Sequence, residues 1–109
     1  MKLHLRILPR AENDAQVIYD YIASYSPVGA LRWWHAFEAA TSKLTENVHQ
    51  FGLARENGLF DLELRQFLFK TPQGRNYRGV FVVVDDELRI IRVRGPGQPG
   101  LQPDELRFE

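Results

Sequence analysis

Cysteine is missing from all 109 residues. No disulfide framework, thiolate nucleophile or zinc–thiolate site can therefore be built, and the composition fits a reducing, cytoplasmic compartment. The three histidines, His4, His35 and His49, fall on different expected elements without ligand spacing, which argues against a metal site. No G-x-S-x-G nucleophile elbow and no serine, histidine and acid set suggests itself. Gly95-Pro96-Gly97 and Gly100 do not make a phosphate cradle, because Pro99 and Pro103 interrupt the helix start such a cradle needs. No cofactor is implied. Long hydrophobic runs are absent as well: nothing approaches a membrane span, and MKLHLRILPRAEND lacks the apolar core of a signal peptide. Nor is there net charge, since 14 Lys+Arg balance 14 Asp+Glu.

That balance hides a division. Residues 11–64 carry three bases against eight acids, whereas residues 65–94 carry seven bases against three acids. An acidic helical part and a basic sheet part point to a one-sided surface for a partner. The basic part is also where the strand pattern is strongest. Val80-Phe81-Val82-Val83-Val84 is a β-branched and aromatic run, Asp85-Asp86 is turn chemistry, and Leu88 to Arg94 resumes the strand. A two-residue turn at Asp85-Asp86 pairs Val84 with Glu87, Val82 with Arg89, Val80 with Ile91 and Arg78 with Val93. Phe81, Val83, Leu88 and Ile90 then share a core face with Gly79 and Arg92. The opposite face mixes Val80, Val82, Ile91 and Val93 with Arg78 and Arg89, and reads as less dry. Phe60 to Phe69 is a third strand, with Phe60, Leu62 and Leu64 alternating against Asp61, Glu63 and Arg65 and a turn at Thr71–Gly74.

Upstream, Lys2 to Leu8 alternates as a strand, which Pro9 stops. Ala11, Ala15, Ile18, Ile22 and Tyr25 form one helical stripe, with Glu12 and Asp14 in the first turn, where the helix dipole favours acids. Ser26-Pro27 breaks this helix and Pro27-Val28-Gly29 opens the next. There Ala30, Trp34, Phe37, Thr41, Leu44 and Val48 make the apolar face, with Trp33 and Ala40 alongside. Adjacency leaves one tryptophan partly exposed, and both read as core or interface rather than a stacking platform. The segment His49 to Leu59 is a loop. The expected class is α+β, in the order β-α-α-β-β-β: an antiparallel-rich sheet with a helical hairpin packed on one face. Residues 1–97 form a single domain and 98–109 a C-terminal tail, breaker-rich from Gln98 to Pro103, with Asp104 to Glu109 lying on the surface or making a short helical turn.

The candidate site is the arginine-rich sheet. Arg65, Lys70, Arg75, Arg78, Arg92 and Arg94 offer strand-fixed cations able to grip phosphate or carboxylate. For cleavage they lack partners: Tyr77 and Lys70 are the nearest proton donors or acceptors, which is thin for a nuclease.

The chain resembles the toxins of the ParE/RelE superfamily, the stable partners in type II toxin–antitoxin modules often called plasmid stabilisation proteins. The resemblance covers roughly residues 3–106. It rests on Ile7–Asp14, Ile18–Ala23, Ser26-Pro27 with Ala30 and Trp33, Leu64–Lys70, Arg75–Phe81, Val83–Asp86, Ile91–Arg94 and Pro103–Leu106. It implies the same β-α-α-β-β-β fold, toxicity with growth inhibition, and a cognate antitoxin that folds an acidic segment onto the toxin. A homodimer within the toxin–antitoxin complex is a further arrangement it allows. RelE-like members cut mRNA on the ribosome with strand lysines, an arginine and a C-terminal arginine and tyrosine. Of that set only Arg78 matches here; Asp61 and Glu63 stand where lysines are expected, and no tyrosine follows Arg94. ParE-like members poison DNA gyrase without cutting anything themselves. Their relatives show Val-Arg-His-Gly where this chain has Val93-Arg94-Gly95-Pro96. The resemblance therefore leans to a ParE-like, non-enzymatic gyrase poison. A RelE-like endoribonuclease and a non-toxic antitoxin-binding member stay open.

Overall fold

The computed structural model describes residues 2–109. Strand β1 (His4–Ile7) leads into helices α1 (Pro9–Ala23) and α2 (Pro27–Thr41). A 3-10 turn at Val48–Gln50 and a loop precede β2 (Arg65–Phe69), β3 (Tyr77–Val84) and β4 (Glu87–Arg94), and a second 3-10 turn spans Pro103–Glu105. The sheet order is β1-β4-β3-β2; β1 runs parallel to β4 and the other neighbours are antiparallel. The α+β class and the order of elements are as expected.

Pro9 occupies the first turn of α1, where its missing N–H removes no helical bond. Ser26, read as a break, also caps α2: its Oγ accepts from Gly29 N at 3.0 Å. The expected stripe of α1 holds at Ala11, Ala15 and Ile22, but Tyr25 lies past the helix end and is exposed. In α2 the buried tryptophan is Trp33, not Trp34, and Leu44 is buried although it lies beyond the helix. Trp33 packs its ring on Phe37 (centroids 5.7 Å, 3° apart) and against Phe69 (5.6 Å). Gly79 belongs beneath this layer because the ring of Phe67 covers it: an added Cβ would lie 2.2 Å from Phe67 Cε1.

The hairpin turn places Val84 opposite Glu87 and Val82 opposite Arg89 as expected, with Asp85 at φ 56°. Aspartate tolerates this left-handed conformation better than most residues. Farther along, the simple register fails. Phe81 pairs with Ile90 but Val80 pairs with Arg92, so Ile91 is an extra, bulged residue. Arg78 consequently faces Arg94 rather than Val93, and Val93 instead of Arg92 joins the core on the helix side.

Two further expectations are corrected. The third strand begins at Arg65, not Phe60. Residues 60–64 are held by the preceding loop instead: Leu64 N donates to Asn57 Oδ1 (2.9 Å), and Ala54 N donates to Leu64 O (2.7 Å). The second sheet face is not wet. Val80, Val82 and Ile91 are buried there under Leu8, Ala54, Leu64, Leu101 and Leu106. Residues 98–109 thus contribute apolar side chains to a core layer, and their 3-10 turn at Pro103–Glu105 only overlaps the start of the helical turn expected over Asp104–Glu109.

Candidate functional site

The arginines of the sheet were expected to form one exposed basic surface; most of them are engaged inside the protein. Arg78, on β3, is buried on the second face with Glu56 from the loop before β2. Its two terminal nitrogens donate to the two oxygens of Glu56 at 2.9 and 2.6 Å, and one also reaches Gln66 Oε1 at 3.3 Å. Glu56 accepts as well from Leu101 N at 2.8 Å. Burial pushes the Glu56 carboxyl up, but the hydrogen bonds from Arg78 and Leu101 and the guanidinium charge outweigh it, leaving its pKa below the ordinary value. The Glu56 carboxylate is thus ionised near neutrality, and the terminal nitrogens of Arg78 are turned to protein acceptors rather than to solvent.

Arg92 makes the second two-pronged pair, with Asp14 of α1 (2.7 and 2.9 Å), and also donates to Glu105 O at 3.1 Å. The local reason is the length of β1. It ends beside Ile90, so the following edge of β4 has no strand neighbour, and Asp14 Oδ2 accepts from Val93 N at 2.9 Å in its place. Asp14, read as a helix-dipole residue, is a strand-edge partner. The hydrogen bonds it donates to Asp14 outweigh burial and hold the Arg92 guanidinium more strongly protonated than usual.

Arg94 pairs with Glu105 at 2.7 Å. The backbone N–H of Gln102, the largest influence, and the charges of Arg94 and Arg92 hold Glu105 below the ordinary carboxylate range, against a smaller opposing effect of burial. Arg65 donates to Phe51 O and approaches Glu63 at 3.3 Å. Arg89 donates to Phe108 O (2.6 Å) and Glu87 (2.8 Å). Two of the expected residues differ from these: Lys70 and Arg75, flanking the β2–β3 turn, are exposed and form no ion pair among the described residues.

The structure therefore brings Arg78, Arg92 and Arg94 together on β3 and β4 but directs them at carboxylates of this chain. Sequence reasoning missed those carboxylates. Asp14, Glu56 and Glu105 lie on three separate segments, and only the fold places them against β3 and β4. Asp61 and Glu63 are exposed, on no strand, at the rim of a cavity of about 330 Å³ lined also by His49, Arg65 and Phe81. Among the described residues no cluster of histidine and acid side chains is arranged to hold a metal ion, and no helix is long and apolar enough to cross a membrane.

The fold is similar to a solved structure described as the chromosomal ParDE TA system from P. aeruginosa. The TM-score is 0.65 at 19% identity, covering 85% of this chain and 95% of that one. No curated protein matches the chain. Residues 5–98 match the family described as the ParE toxin of type II toxin-antitoxin system, parDE. Fold and sequence agree, and the chain belongs to the ParE toxin family.

Proposed function

We propose that this toxin acts in the cytoplasm by binding DNA gyrase, arrests growth without cutting RNA, and is neutralised by a cognate antitoxin encoded with it. The observation that carries the reading is the pairing of Arg78 with Glu56. Arg78 is the one residue that matches the RNA-cutting set, and both of its terminal nitrogens are bound to a buried carboxylate at 2.9 and 2.6 Å. Reaching a scissile phosphate would strip Glu56 of its counter-charge in a low-dielectric site, which is strongly unfavourable. A cutting site also needs an acid and a base, each contributing about 10²–10⁴-fold. Asp61 and Glu63, where relatives carry lysines, would repel an RNA backbone.

The test is a pair of assays on the purified full chain. Inhibition of gyrase supercoiling, relieved by the antitoxin, is the expected result. Discrete cuts in translated mRNA that disappear in Arg78→Ala would instead make the protein a RelE-like ribonuclease. A second reading, an antitoxin binder without toxicity, draws on Gly95. This position, where ParE-like relatives carry histidine, abuts Tyr77 so closely that an added Cβ would lie 3.1 Å from its ring. Normal growth on expression without antitoxin, with both assays silent, would select it.

A further inference from the structure

At one end of the molecule α1 stops, α2 starts, and β2 turns into β3. Of the side chains gathered there, Tyr21, Tyr25 and Arg75 are exposed. Tyr21 and Tyr25, at the end of α1, are 70% and 67% exposed. Their rings meet edge to face with centroids 5.6 Å apart. Tyr77 opens β3 with its ring set between Trp33 (5.5 Å) and Phe69 (5.8 Å), so it is fixed by the core while the other two project. Burial, and then the phenols of Tyr25 and Tyr21, raise the pKa of Tyr77, while Arg75 acts the other way. Tyr21, Tyr25 and Arg75 each lie within electrostatic reach of Tyr77. Among the described residues Arg75 makes no ion pair, unlike the arginines of β3 and β4.

The corner is rich in donors and poor in acceptors. The Arg75 guanidinium has five N–H groups and no acceptor, and each phenol adds an O–H beside its own acceptor oxygen. The nearest acid on α1, Asp20, already accepts from Gln16 at 2.9 Å. Tyrosine and arginine side by side are also the composition that anchors protein interfaces. We propose that Tyr21, Tyr25, Tyr77 and Arg75 form the anchor site for an acidic segment of a protein partner, with an aspartate or glutamate seated on Arg75 and the phenols closing over the segment. This deepens the partner-binding reading above and rests on it. A nucleic acid fits less well: backbone affinity grows with the number of phosphates neutralised, and the cation at this corner is Arg75, on a chain of zero net charge.

The proposal is tested by titrating the isotope-labelled full chain with a capped hexaglutamate peptide and following backbone amide resonances by NMR. Hexalysine and a six-nucleotide thymidine strand are run in parallel. The expected result is saturable shifts centred on Tyr21, Tyr25, Arg75 and Tyr77 with hexaglutamate alone. Arg75→Gln should weaken binding about two- to fivefold, as for an exposed ion pair. Tyr25→Ala should weaken it about fivefold or more, as for an interface anchor. Arg107→Gln, at an exposed position of the C-terminal segment, should leave it unchanged. Both test positions are exposed, so an otherwise unaltered spectrum verifies the fold. Shifts elsewhere or nowhere, affinity indifferent to Arg75→Gln, or tighter binding of the thymidine strand at this corner would overturn the proposal. The titration contains neither gyrase nor antitoxin, so its failure is distinct from a failed supercoiling assay.

Discussion

The two faces of the sheet are covered by different means. On one, α1 and α2 lay a stripe of small and aromatic residues on Phe67, Phe69, Phe81, Leu88 and Ile90. Helices satisfy their own backbone, so this layer needs shape and apolar area and little else. On the other, Val80, Val82 and Ile91 are covered by the irregular stretches around Ala54 and Leu64 and around Leu101 and Leu106. Irregular chain leaves backbone groups without partners, and burying them unpaired is costly. Here charged side chains supply the partners: Glu56 takes Leu101 N, Arg92 holds Glu105 O, Arg89 holds Phe108 O, and Arg10 holds Asp104 O. The comparison teaches what the arginines do in the folded chain. Several of them compensate for a cover that lacks regular structure, whereas Lys70 and Arg75, which make no ion pair among the described residues, flank the β2–β3 turn.

Removing a charge from the second face tests this most severely. Glu56→Leu leaves the Arg78 guanidinium buried without its partner and Leu101 N without an acceptor. A loss of about 3–5 kcal/mol in denaturant unfolding is expected. Adding Arg78→Met should restore most of it, because an apolar pair of similar volume carries no desolvation penalty. If the single variant is as stable as the parent, the ionic account of this face is wrong. Next in size, Leu106→Ala should cost about 2–5 kcal/mol, the range for truncating a fully buried leucine. A negligible change would mean that residues 98–109 do not cover a core layer.

The same contrast explains what could be read from the sequence. The helix face is written in periods. Ala11, Ala15 and Ile22, then Ala30 and Phe37, then Phe81, Leu88 and Ile90 all point where a 3.6- or 2-residue repeat sends them. The second face has no period, because its cover is two loops. Glu56, Leu101 and Glu105 are isolated letters whose neighbours in space lie far along the chain. The bulge at Ile91 was hidden for a related reason: Ile90-Ile91 is apolar at both positions, so either can fill a core face and the pattern does not mark the extra residue. Alternation also misled at Phe60 to Leu64. A strand needs a neighbour to pair with, and here the neighbour is a short loop segment that bridges only at Leu53 and Arg65. The candidate site was legible as a set of cations but not as a surface, because sequence gives the charge of Arg78 and hides the carboxylate that takes it.

Acid should separate the two faces more gently. The Glu56 pKa is lowered on folding, so its contribution to stability is fully present above the unfolded-state value and is lost as pH falls through the folded one. Glu105 and Glu87 are lowered too and act with the same sign. Stability should therefore hold down to about pH 4.5, near the unfolded carboxylate value, and decline below it. The decline should be shallower in the Glu56→Leu/Arg78→Met protein. Hydrogen exchange resolves the faces: protection at the Leu101 amide, which Glu56 holds, should fall at a higher pH than protection at Ile90. Simultaneous loss at both sites would show that the faces open as one unit.

The smallest effect is expected at Gly95, where β4 has ended and neither cover reaches fully across. Its backbone is not in the left-handed region, so any residue can adopt it, and Gly95→Ala should gain a few tenths of a kcal/mol by restricting the unfolded chain. Against this, the new Cβ meets Tyr77 Cε2 at 3.1 Å and Cδ2 at 3.4 Å. Tyr77 is stacked on Phe69 and set edge-on to Trp33, so its ring must give by a few tenths of an ångström against these neighbours. The two terms oppose and are similar in size, so the net change in denaturant midpoint should correspond to less than about 1 kcal/mol. The ring resonances of Tyr77 should move nonetheless, because the contact falls on that ring. A large destabilisation would show that Tyr77 is locked and that the helix-side layer extends to Gly95. A clean gain with unmoved Tyr77 resonances would show that the ring and the end of β4 have room to spare.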